Sequence, residues 1–177
     1  MEIKAIVNTI RKTPDSALIG WASIAMINDT VISKKYGHDI RSPSLVRITA
    51  LLRALEPLAE IDLPHKITVI TSSTHLHKLL KIYVPKWDNF GYVTVAGTPV
   101  KYMESIKKIW EILNKHGFEI KSDKNTKERE CKISRYLANA ALNIQDRKLS
   151  SSEVKDAEFI IAESDENIDN IQILGGR

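Results

Sequence analysis

The stretch Arg41–Ala59, RSPSLVRITALLRALEPLA, constrains this chain more than any other. Ser42 has the chemistry of a helix N-cap, and Pro43 falls at the first helical position, where a missing N–H costs nothing. Leu45, Ile48, Leu51, Leu52 and Leu55 recur at helical spacing and make one apolar stripe. A stripe of that length must be buried against another layer, and the flanking segments read as strands. Arg47 stands near the helix start, where the macrodipole prefers anions, so a cation there is out of place.

The surrounding pattern is that of a mixed sheet with helices. Glu2–Ile10, Ala17–Asn28 and Thr30–Tyr36 read as three strands joined by short turns at Thr13-Pro14-Asp15-Ser16 and Asn28-Asp29, an antiparallel meander. Lys66–Thr71 is a short β-branched run of the kind found in buried strands. Ser72-Ser73-Thr74 caps a helix running to about Tyr83, and Pro85–Pro99 reads as a loop holding Trp87, Phe90 and Tyr92. Val100–His116 is an amphipathic helix with Met103, Ile106, Ile109, Trp110 and Leu113 on one side, and Gly117 suits its C′ position. Phe118–Lys121 is a strand, Ser122–Thr126 a polar loop and Glu128–Ile144 a last helix. Glu158–Ala162 and Asn170–Leu174 are further strand-like runs.

Charge divides the 177 residues unevenly. The net charge is +4, yet after Ser150 there are seven acids against Lys155 and Arg177, so the first 150 residues carry 24 basic and 15 acidic side chains. A basic body followed by an acidic extension suits either polyanion binding with self-masking or a merely solvated surface. We therefore divide the chain into a domain, 1–146, and an acidic C-terminal extension, 147–177. No run has the apolar length of a membrane span, and Cys131 is alone, so a reducing cytoplasm without membrane attachment is expected. Cys131, between Glu130 and Lys132, reads as structural. His75 and His77, two apart on a helix, point in different directions and make a poor metal pair. The helix dipole accounts for His116.

The order of elements, together with particular residues, resembles the type I ribonucleases H over about Ile3–Leu142. Trp87, the pair Gly91-Tyr92 and Pro99-Val100-Lys101 recur at that family's spacing. Gly20-Trp21-Ala22 is similar to its second strand, Leu51–Leu58 to its first helix, and Leu137-Ala138 with Ala140-Ala141 to its last. The resemblance implies an α/β, ribonuclease H-like mixed five-stranded sheet flanked by helices. It also implies four carboxylates holding two Mg²⁺ ions for phosphodiester hydrolysis. Those four positions fall on Asn8, Arg47, Ser72 and Arg135, or on Ser134 for the last if the register slips by one. The glycine-rich turn after the first position is replaced by Thr9-Ile10-Arg11, and the loop that carries a histidine in the family reads SDKNT.

Neutral oxygens and arginines do not hold hard dications, so the expectation is a pseudonuclease with no metal and no cofactor. Nucleic-acid contacts implied by the resemblance fall on Arg47, Arg135, Lys132, Ser44, Trp87 and Lys101, with Arg47 and Arg135 converging on the vacated site. The partner would be an RNA–DNA hybrid or another duplex, or machinery that processes nucleic acid and is antagonised. Between Lys86 and Lys101 there is no Lys or Arg, unlike the basic protrusion of the family, and anchoring of that loop on the core is the expected role of its aromatics. Two other readings stay open: a protein-interaction module using the fold as a scaffold, and an active hybrid nuclease with a metal site rebuilt from Asp15, Asp39 or Glu128. An arginine paired with Glu128 or Asp39 would instead leave the site merely filled.

Overall fold

The computed structural model describes residues 1–62, 64–125 and 129–146. Three antiparallel strands, β1 (Ile3–Arg11), β2 (Ile19–Ile27) and β3 (Thr30–Asp39), lead into α1 (Pro43–Leu55). Then follow β4 (Ile67–Thr71), α2 (Thr74–Lys78), α3 (Val84–Asn89), α4 (Met103–His116), β5 (Phe118–Ser122) and α5 (Arg129–Asp146). The sheet order is β3-β2-β1-β4-β5, with β4 parallel to both β1 and β5. This is the expected mixed five-stranded sheet. Among the described residues no helix is long and apolar enough to cross a membrane. The acidic extension, with its two strand-like runs, lies outside them.

The alternation of β1 sorts the two faces. Ile3, Ala5 and Val7 enter one core with Val46, Leu51 and Leu55 of α1 and Ile106, Ile109 and Leu113 of α4. Ile6 enters the other, with Ala22, Ile24 and Met26 of β2 and Cys131, Leu137 and Ala138 of α5. Cys131 is thus a fully buried packing residue. The Ser42 side chain caps α1 by accepting from the Leu45 amide at 3.3 Å, with Pro43 at the start, as the sequence implies. In β2, Gly20 lies so close to α5 that a Cβ built there would sit 2.0 Å from the carbonyl oxygen of Ala138. Arg53 lies over the Trp21 ring, 4.2 Å from its centroid.

Two expectations are corrected. The helix opened by Ser73 does not stop near Tyr83, and the segment after Pro85 is not yet a loop. The chain widens into a π-turn at Leu79–Tyr83, where the Val84 amide reaches Leu79 O, and continues as α3 to Asn89. A π-turn absorbs the ring and the missing N–H of Pro85, which would break a regular ladder. The second correction concerns His116. It is buried, and its Nδ1 accepts from the His65 amide at 3.3 Å, so a hydrogen bond, and not the helix dipole alone, holds the ring. Smaller differences are that β3 runs three residues beyond Tyr36, and that α4 starts at Met103 because Tyr102 is left-handed (φ 61°).

The loop after α3 separates its aromatics. Tyr92 is the anchor: it is buried, its amide bonds Trp87 O at 2.7 Å, and burial, aided by Asp88, pushes its phenol up to about 12. Trp87 stacks on Tyr83 at 5.6 Å and packs partly on the core. Phe90 is 74% exposed and does not anchor.

Candidate functional site

Parallel β1 and β4 end at the same edge of the sheet, and open α/β sheets bind ligands outside the carboxyl ends of their strands. Val7 is in register with Thr71, so the next residues, Asn8 and Ser72, emerge side by side. Ser72 Oγ donates to Asn8 Oδ1 at 3.2 Å. Asn8 Nδ2 donates to Ser134 Oγ at 2.5 Å, and Ser134 Oγ donates to Cys131 O at 3.0 Å. Asn8 and Ser134 are almost completely buried. A directed chain of three neutral hydrogen bonds therefore joins three of the positions at which the resemblance places carboxylates.

Ser134, not Arg135, faces Asn8. Cys131, Ser134, Leu137, Ala138 and Ala141 are the buried face of α5, and Arg135 is turned about 100° away on its flank. Its Nε lies 3.3 Å from Oδ2 of the buried Asp123 and also donates to Cys131 O. Of these two neighbours on α5 it is thus Ser134 that meets Asn8 at the strand ends, while Arg135 has a local carboxylate in Asp123.

Arg47 reaches the strand ends from α1. It borders a polar hollow of about 230 Å³ lined by Thr9, Ser72, Ser73, Thr74 and His75, and on its other side a smaller one of about 110 Å³ lined partly by Ile10, Arg11 and Pro43. Among the described residues no carboxylate lies within ion-pair distance of it. Asp39, one candidate partner, is instead clamped by Arg41, whose hydrogen bonds hold the Asp39 carboxyl below its ordinary range. Glu128, the other, lies outside the described residues. Burial, and then the neighbouring Arg11, draw the Arg47 guanidinium down from its usual value. Burial and then Arg47 do the same to His75, whose Nε2 is buried with no hydrogen-bond partner. The sequence reading missed both Arg11 and His75.

The remaining candidates are dispersed. Ser44 is half-buried in the first turn of α1, and Lys132 is exposed on α5. Lys101 is exposed, 5.9 Å from the Tyr102 ring centroid, and Trp87 stacks on Tyr83. These residues do not fit a pair of Mg²⁺ ions. Asn8, Ser72 and Ser134 offer neutral oxygens already engaged with one another, and Arg47 opposes any cation. No group of three or more His, Cys, Asp and Glu side chains suited to a metal occurs among the described residues.

No family model matches the chain. It is 31% identical over 100 residues to the ribonuclease H of Ruegeria sp. (strain TM1040), covering 54% of this chain and 59% of that protein. It is 26% identical over 98 residues to the ribonuclease H of Rickettsia bellii (strain RML369-C), covering 55% and 61%. The match spans less than two thirds of either relative. Among solved structures, the RNase H domain of prototype foamy virus superposes with a TM-score of 0.57 at 19% identity, over 80% of this chain and 92% of that domain. LC9-RNase H1, a type 1 RNase H with the type 2 active-site motif, gives 0.60 at 11% identity over 92% and 83%. Strand order, helix placement and these likenesses agree: the chain has a ribonuclease H-like fold.

Proposed function

We propose that this protein is a pseudonuclease that binds nucleic acid through the carboxyl-end edge of its sheet without hydrolysing it, or that antagonises nucleic-acid-processing machinery there. One observation carries the reading. Where the resemblance calls for carboxylates, Asn8, Ser72 and Ser134 are locked in a neutral hydrogen-bond chain and Arg47 stands half-buried without a counter-ion among the described residues. A guanidinium supplies permanent charge without a metal, and its fork takes two phosphate oxygens. Two structural neighbours, a foamy viral protease-reverse transcriptase and LC11-RNase H1, are in complex with RNA/DNA hybrid, which makes a hybrid the first ligand to try.

Filter binding of an RNA–DNA hybrid at two salt concentrations tests the reading. A few phosphate contacts predict log K falling with log salt at a slope of about −2 to −4. The hybrid should remain uncut with Mg²⁺ or Mn²⁺, and millimolar Mg²⁺ should leave the melting temperature unchanged, because no folded-state site gains from it. Metal-dependent cleavage that disappears on substitution of Asp15 or Glu128 would instead establish a relocated nuclease centre.

The acidic extension yields a separate expectation. If its seven acids mask the basic domain, truncation after Arg147 tightens nonspecific binding and steepens the salt dependence. Equal affinity of the two forms would assign the extension another role.

A second reading, a protein-interaction module, draws on a different surface. Tyr83, Trp87, Phe90, Val93 and Val95 border an open, largely apolar hollow of about 740 Å³. Exposed apolar patches of this kind mark interaction sites more often than solvated surface. Hybrid affinity too weak to measure at low salt would move this reading ahead.

A further inference from the structure

We propose that the apolar hollow beside α3 is the docking site of this chain's own acidic extension, with Phe159 and its aliphatic neighbours as the anchor. The inference goes beyond the reading of the strand ends and does not depend on it.

The hollow has two built walls. Tyr83, Trp87 and Phe90 recur at helical spacing across the π-turn and α3, which sets them along one side. Leu80 and Val84, on the inner side, are buried and hold that helix to the core. The other wall is a turn closed on itself. In it the Thr94 amide bonds Thr98 O at 2.8 Å, the Gly97 amide bonds Thr94 O at 2.9 Å, and Val93 pairs with Pro99. That turn presents Val93 and Val95.

Exposure singles this place out. Among the described residues eight large apolar side chains are exposed, and four of them, Tyr83, Phe90, Val93 and Val95, line the hollow. Apolar surface gathered in this way gains from being covered. The charge around it says by what. Lys86 lines the hollow, no described carboxylate does, and Asp88 of α3 accepts instead from the Tyr92 hydroxyl at 3.4 Å. From Lys78 to Lys108 the chain carries six lysines against Asp88 and Glu104. The fitting occupant is apolar at its centre and acidic at its edges.

The sequence carries such a segment. The extension, 147–177, lies outside the described residues, and from Asp156 to Asp169 it holds six acids and no base. In their midst stands Phe159-Ile160-Ile161-Ala162, flanked by Glu158 and Glu163, and Phe159 is the extension's one aromatic residue. Phe159 comes 13 positions after Asp146, where α5 ends, which allows a span of up to about 45 Å. A domain of this size has a radius of gyration of about 15 Å, so the hollow is within reach. A segment of the same chain binds intramolecularly, and a contact too weak to hold a separate peptide suffices.

The test uses the full chain with a nitroxide spin label on Ala162→Cys, read by NMR through the amide signals of Trp87–Val95. Cys131 is fully buried and stays out of the reagent's reach. Those signals should be lost with the label oxidised and return when it is reduced. They should persist under the oxidised label when Phe159→Asp and Ile161→Asp are added. The same is expected of Phe90→Ser, which removes a 74% exposed ring and leaves the core alone. Loss of signals elsewhere on the domain instead, or of none, overturns the proposal. So does a loss that survives Phe159→Asp with Ile161→Asp, which would make the contact one of charge alone. Mixing spin-labelled chains with isotope-labelled chains that lack the spin label tests for a second copy. Unchanged signals in the mixture support the intramolecular contact, and an equal loss there assigns the hollow to another molecule and overturns it. Hybrid binding enters none of these outcomes, so the proposed function stands or falls separately.

Discussion

Gly20→Ala should destabilise the protein by about 3 kcal/mol or more, which lowers the melting temperature by about 10 °C. The added methyl would sit 2.0 Å from the Ala138 carbonyl oxygen and 3.0 Å from Leu142 Cβ. Backbone, unlike a flexible side chain, cannot rotate out of the way. To admit the methyl, α5 must lift from β2, which opens the cluster of Ile24, Met26, Leu137 and Ala138. Gly20 is an ordinary extended residue of β2, so its lack of a side chain, not its conformational freedom, is what the fold uses. It follows that Ala138→Gly should not rescue Gly20→Ala, because the clash is with a carbonyl that every residue carries. Urea denaturation of the two variants settles the matter. A loss below about 1 kcal/mol would mean that α5 rides loosely on the sheet.

Lifting α5 would also act at the strand ends. Ser134 lies four residues before Ala138 on the same buried face, so a displaced helix would draw its hydroxyl away from Asn8. Part of the glycine's effect is thus on the hydrogen-bond chain at the site. The same packing explains why Arg135 substitutions should act on stability through Asp123 more than on binding.

What was legible in the sequence was whatever one periodicity decides. The stripe of α1 was readable because Ile48, Leu51 and Leu55 are all buried, and Ser42-Pro43 marked its start. Strand alternation carried the meander, and the order of elements carried the fold. What failed were features that two elements decide jointly. Ser134 and Arg135 differ by one helical step, and only the docking of α5 on β1 selects the serine. Pro85 carries a strong stop signal locally, yet Val84 at 1% exposure and the half-buried Trp87 hold the next turn against the core, so the helix bends through a π-turn and continues. Arg11 was findable. Counting by twos from Val7 puts it on the face where Arg47 must arrive. His75 was not, because nothing in its neighbourhood of sequence indicates that α1 will bring a guanidinium beside it.

Arg47→Glu should cost at least about tenfold in hybrid affinity at low salt and leave the fold intact or slightly more stable. The two halves of this expectation come from the same observations. Arg47 is half-buried, its charge is disfavoured by desolvation and by Arg11, and no described carboxylate offsets either. A glutamate there would face Arg11 as an attraction, and it would suit the N-terminal half of α1 better than a cation does. Stability should therefore rise by up to about 1 kcal/mol, in the manner of sites where function is kept at the expense of stability. Binding should move the opposite way, since the new carboxylate repels phosphate where the guanidinium would have held it. A merely structural arginine predicts the reverse on both counts: a loss of stability on substitution and no change in hybrid affinity. Arg47→Gln separates charge from shape, and it should fall between wild type and Arg47→Glu in both properties. Thermal melts and filter binding of the three proteins at two salt concentrations decide the case. Affinity that is unaltered while stability rises would place the nucleic-acid surface elsewhere and leave the protein-interaction reading in front.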